Sequence, residues 1–182
     1  KVRFEIEIEW LIFLCSKGGK NFPSLSKSNI KDLQTLKNSF DRKSAKRIKS
    51  IEIRTNHDVK AVEYFIREEL QKISSLKKYE HLVHFALTSE DINSLSYAIL
   101  MRDAQVIYLK QLNVLIKELN KRARLWSSIP MLARTHGQAA SPSTLGKEMK
   151  VFVERLRRQQ NSLKNMKPLA KFGGATGNYH TL

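Results

Sequence analysis

Cysteine, proline, glycine and acidic residues are all scarce in this sequence. The single cysteine, Cys15, lies in an apolar stretch and can form no disulfide within the chain. No hydrophobic run is long enough to span a bilayer. The stretch 2–10 is too charged for a signal peptide, so the expected location is the reducing cytoplasm. We also find no internal repeat, no metal-ligand spacing and no phosphate-loop pattern.

The shortage of acidic residues leaves the chain strongly basic. Against 33 Lys and Arg stand 17 Asp and Glu, a formal net charge of +16. Such a charge suits a polyanion partner such as nucleic acid, an acidic membrane or an anionic small molecule. Because the basic residues are spread through helical segments and not gathered with aromatics, a solvated basic face is the commoner explanation. A basic helical domain that binds nucleic acid or serves as a scaffold stays open as an alternative, and its affinity would fall steeply with salt.

Apolar periodicity predicts an all-α fold. Residues 1–17 alternate apolar and charged side chains as a half-buried strand would, but they also fit two helical stripes, and Gly18-Gly19 provides a stop, so we predict a helix. Ser28 or Asn29 is expected to cap a short helix, and Asp41 to begin another.

Two long helices are predicted in the second half of the chain. From Asp91 to Trp126 no proline or glycine breaks an apolar period, which gives one helix of about 50 Å, and Thr144–Met166 forms the next. The connection Ser127–Ser143 is too short to reach the far end of such a helix, so the pair is antiparallel, as in helical bundles. We expect this connection to be irregular, because Pro142 and two glycines interrupt any period. The predicted domains are an N-terminal helical domain, residues 1–78, and the first part of a central helical bundle, 79–182.

Three polar clusters fall at helix starts or in the connection. Thr55 precedes Asp58 at capping-box spacing, which puts His57 at a helix N-terminus, where free N–H groups and the dipole favour anions. Thr88-Ser89-Glu90-Asp91 repeats that pattern, and its hydroxyls can hold a carboxylate or phosphate. In the third cluster His136, a group that exchanges protons near neutral pH, lies between Thr135 and Gly137. From these residues alone, helix capping at His57 and a loop hydrogen bond at His136 are the commoner explanations, and capping at Thr88-Ser89 needs only one of the two hydroxyls.

A family resemblance connects the clusters. The run Arg134-Thr135-His136-Gly137-Gln138-Ala139-Ala140-Ser141-Pro142-Ser143-Thr144-Leu145-Gly146-Lys147 resembles the second signature region of the fumarase/aspartase superfamily. Residues 54–64 and 88–96 agree with it, and the former resemble the adenylosuccinate lyases rather than the fumarases, aspartases or argininosuccinate lyases. The resemblance extends to Gly173-Gly174-Ala175-Thr176-Gly177-Asn178-Tyr179. An argininosuccinate lyase remains an alternative, against which Asn56-His57-Asp58 argues.

The resemblance implies a β-elimination in purine nucleotide biosynthesis. Fumarate would leave adenylosuccinate, giving AMP, or the succinylated aminoimidazole carboxamide ribotide. His136 would be the general acid and His57 a second catalytic group near the phosphate and succinyl end. The expected substrate-binding residues are Asn56, His57, Asp58, Thr88, Ser89 and, less strongly implied, Thr135 and Gln138. The resemblance also implies an anionic nucleotide substrate, a homotetramer with shared active sites, and no metal, other cofactor, membrane or nucleic-acid partner.

Two features of the superfamily are missing from the 182 residues. One is the loop of the type Ser-Ser-x-Met-Pro-x-Lys-x-Asn, which carries the catalytic base and a carboxylate-binding lysine. The other is a Gly-Arg-Tyr segment expected upstream. Because family members are more than twice as long, the sequence is expected to correspond to the N-terminal domain and the first part of the central domain, and to be inactive by itself.

Overall fold

The computed structural model describes residues 1–179, and within them the fold is helical. The elements in chain order are α1 (Val2–Lys17), α2 (Lys27–Asn38), α3 (Arg42–Thr55), α4 (Asp58–Gln71), a 3₁₀ helix (Lys77–Leu82), α5 (Ser89–Leu125), β1 (Pro130–Thr135), β2 (Gln138–Thr144) and α6 (Leu145–Asn165). One two-stranded hairpin is the only sheet in this described part. The predicted all-α class is confirmed, and so are the helix over residues 1–17 and both long helices.

The chain divides into two compact units. The first comprises Lys1–Leu100 together with the segment that starts at Leu169, and the second comprises Met101–Pro168. Helix α5 contributes residues to both. The domain boundary predicted between residues 78 and 79 concerns the organisation of a longer protein and stays a prediction.

The first unit is built on one hydrophobic core. Tyr79 of the 3₁₀ helix is fully buried in it, and its hydroxyl donates to the carbonyl of Ser24 (2.8 Å). The other fully buried members come from α1, α2, α3, α4 and the turn after α4: Phe4, Ile8, Leu11, Leu33, Ile51, Ala61, Ile66, Leu70 and Leu76.

Two predicted helix caps are wrong by a few residues. Helix α2 is capped by Ser26, whose hydroxyl accepts from the N–H of Asn29 (3.1 Å), because Ser26 is the residue with an extended backbone ahead of the first turn. Thr55 does not cap α4. It is the last residue of α3, its hydroxyl donates to the carbonyl of Ile51 (3.2 Å), and His57 is the N-cap. Asp41 caps α3 as predicted.

The second unit is an antiparallel helix pair, as predicted. Near the hairpin the N–H of Gly146 donates to the carbonyl of Trp126 (2.9 Å). Further along, the ammonium of Lys150 donates to the side chain of Asn120 (3.0 Å), and at the other end Gln105 donates to the carbonyl of Met166 (3.1 Å). Successive contacts thus involve higher residue numbers on α6 and lower residue numbers on α5, as expected for antiparallel helices.

The connection between these helices is a β-hairpin, so the prediction of an irregular loop is wrong. His136 (φ 51°) and Gly137 (φ 78°) form a two-residue turn with both φ values positive, which matches the twist of paired antiparallel strands. Glycine thus completes regular structure here. Pro142 pairs with Leu132 in a ladder of two strands, where each strand has a free edge that tolerates a missing N–H.

Gly146 sets how closely α6 approaches the end of α5. A β-carbon built on it would lie 2.3 Å from the carbonyl oxygen of Ala123 and 2.6 Å from backbone atoms of Ser127. We predict that Gly146→Ala destabilises the chain by about 1–3 kcal/mol, because backbone must move to relieve the overlap. Thermal unfolding followed by circular dichroism tests this, with exposed Lys147→Ala as the control. An unchanged melting temperature would contradict the prediction.

Candidate active site

Asn56, His57 and Asp58 occupy the sharp turn between α3 and α4. Asn56 ends α3 in the left-handed conformation (φ 48°), and its N–H donates to the carbonyl of Glu52 (2.8 Å). The three residues line one open groove of about 590 Å³ with Lys49, Glu52 and Ile53. The structure therefore brings three of the expected substrate-binding residues to one surface.

The imidazole of His57 has a defined hydrogen-bond role. Its Nδ1 accepts from the backbone N–H of Lys60 (3.2 Å), so in this arrangement Nδ1 carries no proton. A neutral ring then has its proton on Nε2. The side chain is about half exposed, so the Nε2–H can donate to a ligand in the groove.

Asp58 is already engaged by protein groups. One carboxylate oxygen accepts from the N–H of Val59 (2.8 Å), and the other lies 2.8 Å from the guanidinium of Arg3 on α1. Burial acts to raise the pKa of Asp58, but the Val59 bond and the nearby positive charge outweigh it and hold the pKa below its ordinary value. The carboxylate ties α4 to α1 and borders the groove as an anion.

Thr88 and Ser89 stand at the start of α5, and the predicted capping box is only half formed there. The carboxylate of Asp91 accepts from the N–H of Thr88 (3.0 Å). The hydroxyls of Thr88 and Ser89, both partly exposed, make no hydrogen bond within residues 1–179. Two hydroxyls beside a helix N-terminus are thus available to a ligand.

The starts of α4 and α5 share a small apolar cluster. Val59 lies directly after Asp58, Leu87 directly before Thr88, and Ile92 in the first turn of α5, and the three pack together in the first unit. Ile6 and Trp10 of α1 pack against this cluster. The two candidate clusters are therefore held on a common apolar support.

Asp91 and His84 are polar residues that sequence reasoning passed over as parts of the site region. Asp91 was seen only as a capping residue, but it also binds Lys171 and the turn at Gly173-Gly174. His84 (φ 65°) lies four residues before Thr88, and its Nδ1 is 2.6 Å from the buried carboxylate of Glu7. A histidine inside the apolar run 82–87 was the only sequence signal for that pair.

The third cluster belongs to the second unit. Thr135, His136 and Gln138 are all exposed at the hairpin turn, where Thr135 pairs with Gln138. The hydroxyl of Thr135 lies 3.1 Å from Nδ1 of His136. Nδ1 is therefore in contact with a protein hydroxyl. Nε2 lies on the other side of the exposed ring and is accessible to a substrate.

Basic side chains gather on one groove of the second unit. Arg124, Lys147, Lys150 and Arg157 line a space of about 640 Å³. Three of the four are partly neutralised, because Lys147 pairs with Glu148 (2.9 Å) and both Lys150 and Arg157 pair with Glu154 (3.1 and 2.9 Å). This pairing favours a solvated basic face.

Neither a metal-binding cluster nor a membrane-spanning helix occurs in the described part of the chain. Across residues 1–179, no three His, Cys, Asp or Glu side chains lie close enough together to hold a metal ion. In the same part of the chain, the helices are too short or too polar to cross a membrane.

The sequence matches a known protein family. A family model described as Lyase matches residues 7–182. The chain belongs to this lyase family. Its fold resembles that of the fumarate lyase from Mesorhizobium sp. BNC1, with a TM-score of 0.74 at 17% identity, over 98% of this chain and 41% of that one. The 3-carboxy-cis,cis-muconate lactonizing enzyme from Pseudomonas putida gives 0.71 at 20% identity, over 99% and 40%.

Curated relatives within the lyase family are much closer in sequence. The chain is 44% identical over 182 residues to adenylosuccinate lyase of Haemophilus influenzae, covering 99% of this chain and 40% of that protein. Adenylosuccinate lyase of Dictyostelium discoideum is 42% identical over 184 residues, with 98% and 40% covered. The chain therefore spans about 40% of the length of these relatives.

The His84–Glu7 pair should make stability depend on pH. Burial acts to lower the pKa of His84, but the hydrogen bond that its imidazole donates to Glu7 and the charges of Glu7 and Glu63 outweigh it and raise the pKa. A raised folded-state pKa adds stability below the unfolded value of about 6.5, and this is lost as pH rises through the folded value. We predict that the free energy of unfolding falls above about pH 6.5 and that His84→Gln flattens this slope, as denaturant titrations can measure.

The control for that experiment is His81→Gln, because His81 is exposed. It should keep the slope of the parent chain. An equal slope in the His84 and His81 variants would assign the pH dependence to other groups.

Proposed function

We propose that the complete protein containing this chain is an adenylosuccinate lyase that releases fumarate from adenylosuccinate and from the succinylated aminoimidazole carboxamide ribotide. The observation that carries the proposal is 40–44% identity to adenylosuccinate lyases over 98–100% of the chain. All three polar clusters lie inside that aligned span. An argininosuccinate lyase would share the fold, but it is not the activity that these relatives' names give.

The proposed reaction breaks one C–N bond and forms one C=C bond. A base, supplied outside these 182 residues, takes a proton from the carbon beside a carboxylate, and the electron pair forms the double bond of fumarate. The purine-side nitrogen leaves and takes a proton from His136. No oxidant, metal or other cofactor is needed for this balance.

The hairpin geometry supports the acid role of His136. The two-residue turn places the imidazole at an exposed tip, and Thr135 engages Nδ1 at 3.1 Å. Nε2 is then the atom that gives its proton to the leaving nitrogen. Gln138, paired with Thr135 across the turn, is proposed to contact the same substrate.

The two clusters of the first unit are proposed to hold the anionic ends of the substrate. Thr88 and Ser89 offer uncommitted hydroxyls and a helix N-terminus to a carboxylate. His57, which lines the groove beside Asn56 and whose Nδ1 accepts from Lys60, is proposed to donate from Nε2–H to the phosphate or succinyl end. Asp58 is proposed to border this part of the pocket and to contact the substrate beside His57.

Assembly into a homotetramer with shared active sites is part of the proposal, as is a cytoplasmic location. Within the second unit α5 leaves large apolar side chains more than half exposed, namely Val106, Ile107, Tyr108, Val114 and Leu125. Apolar surface of this extent on one helix is commonly covered by a protein partner. Other copies of a helical-bundle protein, or its own further helices, have the matching chemistry.

Kinetics of two variants in the complete enzyme test the residue roles. We predict that His136→Ala lowers kcat about 10²–10⁴-fold with a smaller change in KM, because a general acid acts in the transition state. Thr88→Ala should instead raise KM, because it removes a ground-state contact to the carboxylate. Fumarate release is followed by ultraviolet absorbance.

The matched control is His81→Gln, an exposed histidine outside all three clusters, which should leave both constants unchanged. Near-normal turnover in His136→Ala would remove it as the acid and make His57 the leading candidate.

A further prediction concerns the 182 residues by themselves. They should show no turnover of adenylosuccinate, because the motif that carries the family's catalytic base is not among them and the exposed apolar helix faces lack their cover. Mixing with a complementary C-terminal fragment is expected to restore part of the activity. Robust turnover by these residues alone would show that a group such as Ser89 or His57 acts as the base.

A further inference from the structure

The carboxylate of Asp91 joins two distant parts of the first unit. One oxygen accepts from the ammonium of Lys171 (2.8 Å) and the N–H of Gly173 (3.1 Å). The other accepts from the N–H groups of Thr88 (3.0 Å) and Gly174 (3.3 Å). One buried side chain thus binds the first turn of α5 and a turn some eighty residues later in the chain.

The surroundings of Asp91 keep it charged although it is almost fully buried. Its side chain is 1% exposed. Burial acts to raise the pKa of Asp91, but the bonds from Lys171 and from the Thr88 and Gly173 amides outweigh it and lower the pKa. A buried carboxylate with this many donors keeps its geometry, because any lost bond leaves a buried charge or N–H without a partner.

The turn that Asp91 holds is itself closed and anchored. The N–H of Tyr179 donates to the carbonyl of Gly173 (3.0 Å), and Gly174 and Gly177 have positive φ values of 74° and 80°. The hydroxyl of Ser94 bonds to both backbone groups of Lys171 (3.2 and 3.3 Å). We name residues 171–179 the glycine turn.

Capping of α5 does not account for this arrangement. A capping carboxylate in the first turn needs only the N–H of Thr88, whereas three of the four donors to Asp91 come from the glycine turn. The adjacent Glu90 is exposed and has no such partners within the described chain. The carboxylate therefore fixes where the glycine turn lies, directly beside Thr88.

We propose that Asp91 is a positioning residue that holds the glycine turn against Thr88 and Ser89, so that the turn forms one wall of a site for a dicarboxylate such as fumarate. This rests on the proposed function for the identity of the ligand. Asp91 touches no substrate itself. None of its four bonds uses the hydroxyls of Thr88 and Ser89. The bonds place glycine backbone next to these hydroxyls, and a bound carboxylate can approach glycine backbone closely because no side chain intervenes.

The first test measures the geometry without reference to activity. In the complete protein, Asp91→Asn should speed hydrogen exchange in a peptide spanning residues 171–179 by tenfold or more, because the amide –NH₂ cannot accept from the Gly173 or Gly174 N–H. Glu90→Gln removes an equal charge from the same helix turn and should leave exchange unchanged. Unchanged exchange in Asp91→Asn would overturn the proposal, whatever the enzyme catalyses.

The second test measures the site. In a wild-type protein that shows lyase activity, Asp91→Asn should weaken inhibition by fumarate about tenfold or more, while inhibition by AMP changes less than twofold. A purely structural role would lower the active fraction and leave both inhibition constants as they were, and that result would overturn the proposal. Absence of lyase activity in the wild type would refute the proposed function. It would leave the positioning of the glycine turn by Asp91 to be decided by the hydrogen-exchange test.

If Asp91→Asn does not fold, Ser94→Ala is the second variant. It removes only the bonds from the helix to the backbone of Lys171, so it should give the same two effects at smaller size. If Ser94→Ala kept both the exchange protection of the glycine turn and the affinity for fumarate, the proposal would be overturned.

Discussion

The backbone N–H groups in the first turn of every α-helix need acceptors, and this requirement places most of the polar residues singled out in the chain. Ser26, Asp41 and Thr144 meet it with a side-chain oxygen, as the commonest capping residues do. The other three helices depart from that pattern, and no side chain caps α1. An imidazole nitrogen caps α4, and at α5 the carboxylate of Asp91 reaches back to Thr88. The two helix starts with these unusual acceptors are the two that carry the proposed anion contacts.

Local rules were enough to predict the helices and failed at the hairpin. Helices α5 and α6 follow from an unbroken apolar period, which depends only on residues close in sequence. The hairpin is not predicted by periodicity, because Gly137 and Pro142 break the helical pattern without indicating that the flanking residues pair as strands. His136 has a positive φ, which non-glycine residues seldom adopt. The sequence therefore does not indicate that His136 and Gly137 form a two-residue hairpin turn.

The candidate site was predictable in its clusters and not in its connections. Motif spacing pointed to His57, Thr88 and His136 because each cluster is a few residues long. The bonds from Asp91 to the glycine turn bridge about eighty residues, and the apolar contact of Val59 with Leu87 joins separate elements. Such contacts are set by packing of the whole unit, which no local pattern encodes.

The polar groups of the candidate site are exposed to solvent in both units. The groove beside His57 and the turn that carries His136 are both open to solvent, and electrostatic stabilisation of a developing charge is weak in water. The apolar side chains along α5 in the second unit are exposed as well, and burying each would yield roughly 1.5–3 kcal/mol. A single association that covers α5 would bury this apolar surface, and where the covering helices also border His136 it would exclude water from that proposed acid. If the proposed function holds, burial of α5 and exclusion of water from His136 are therefore expected to be one event, so that variants that weaken assembly also lower turnover.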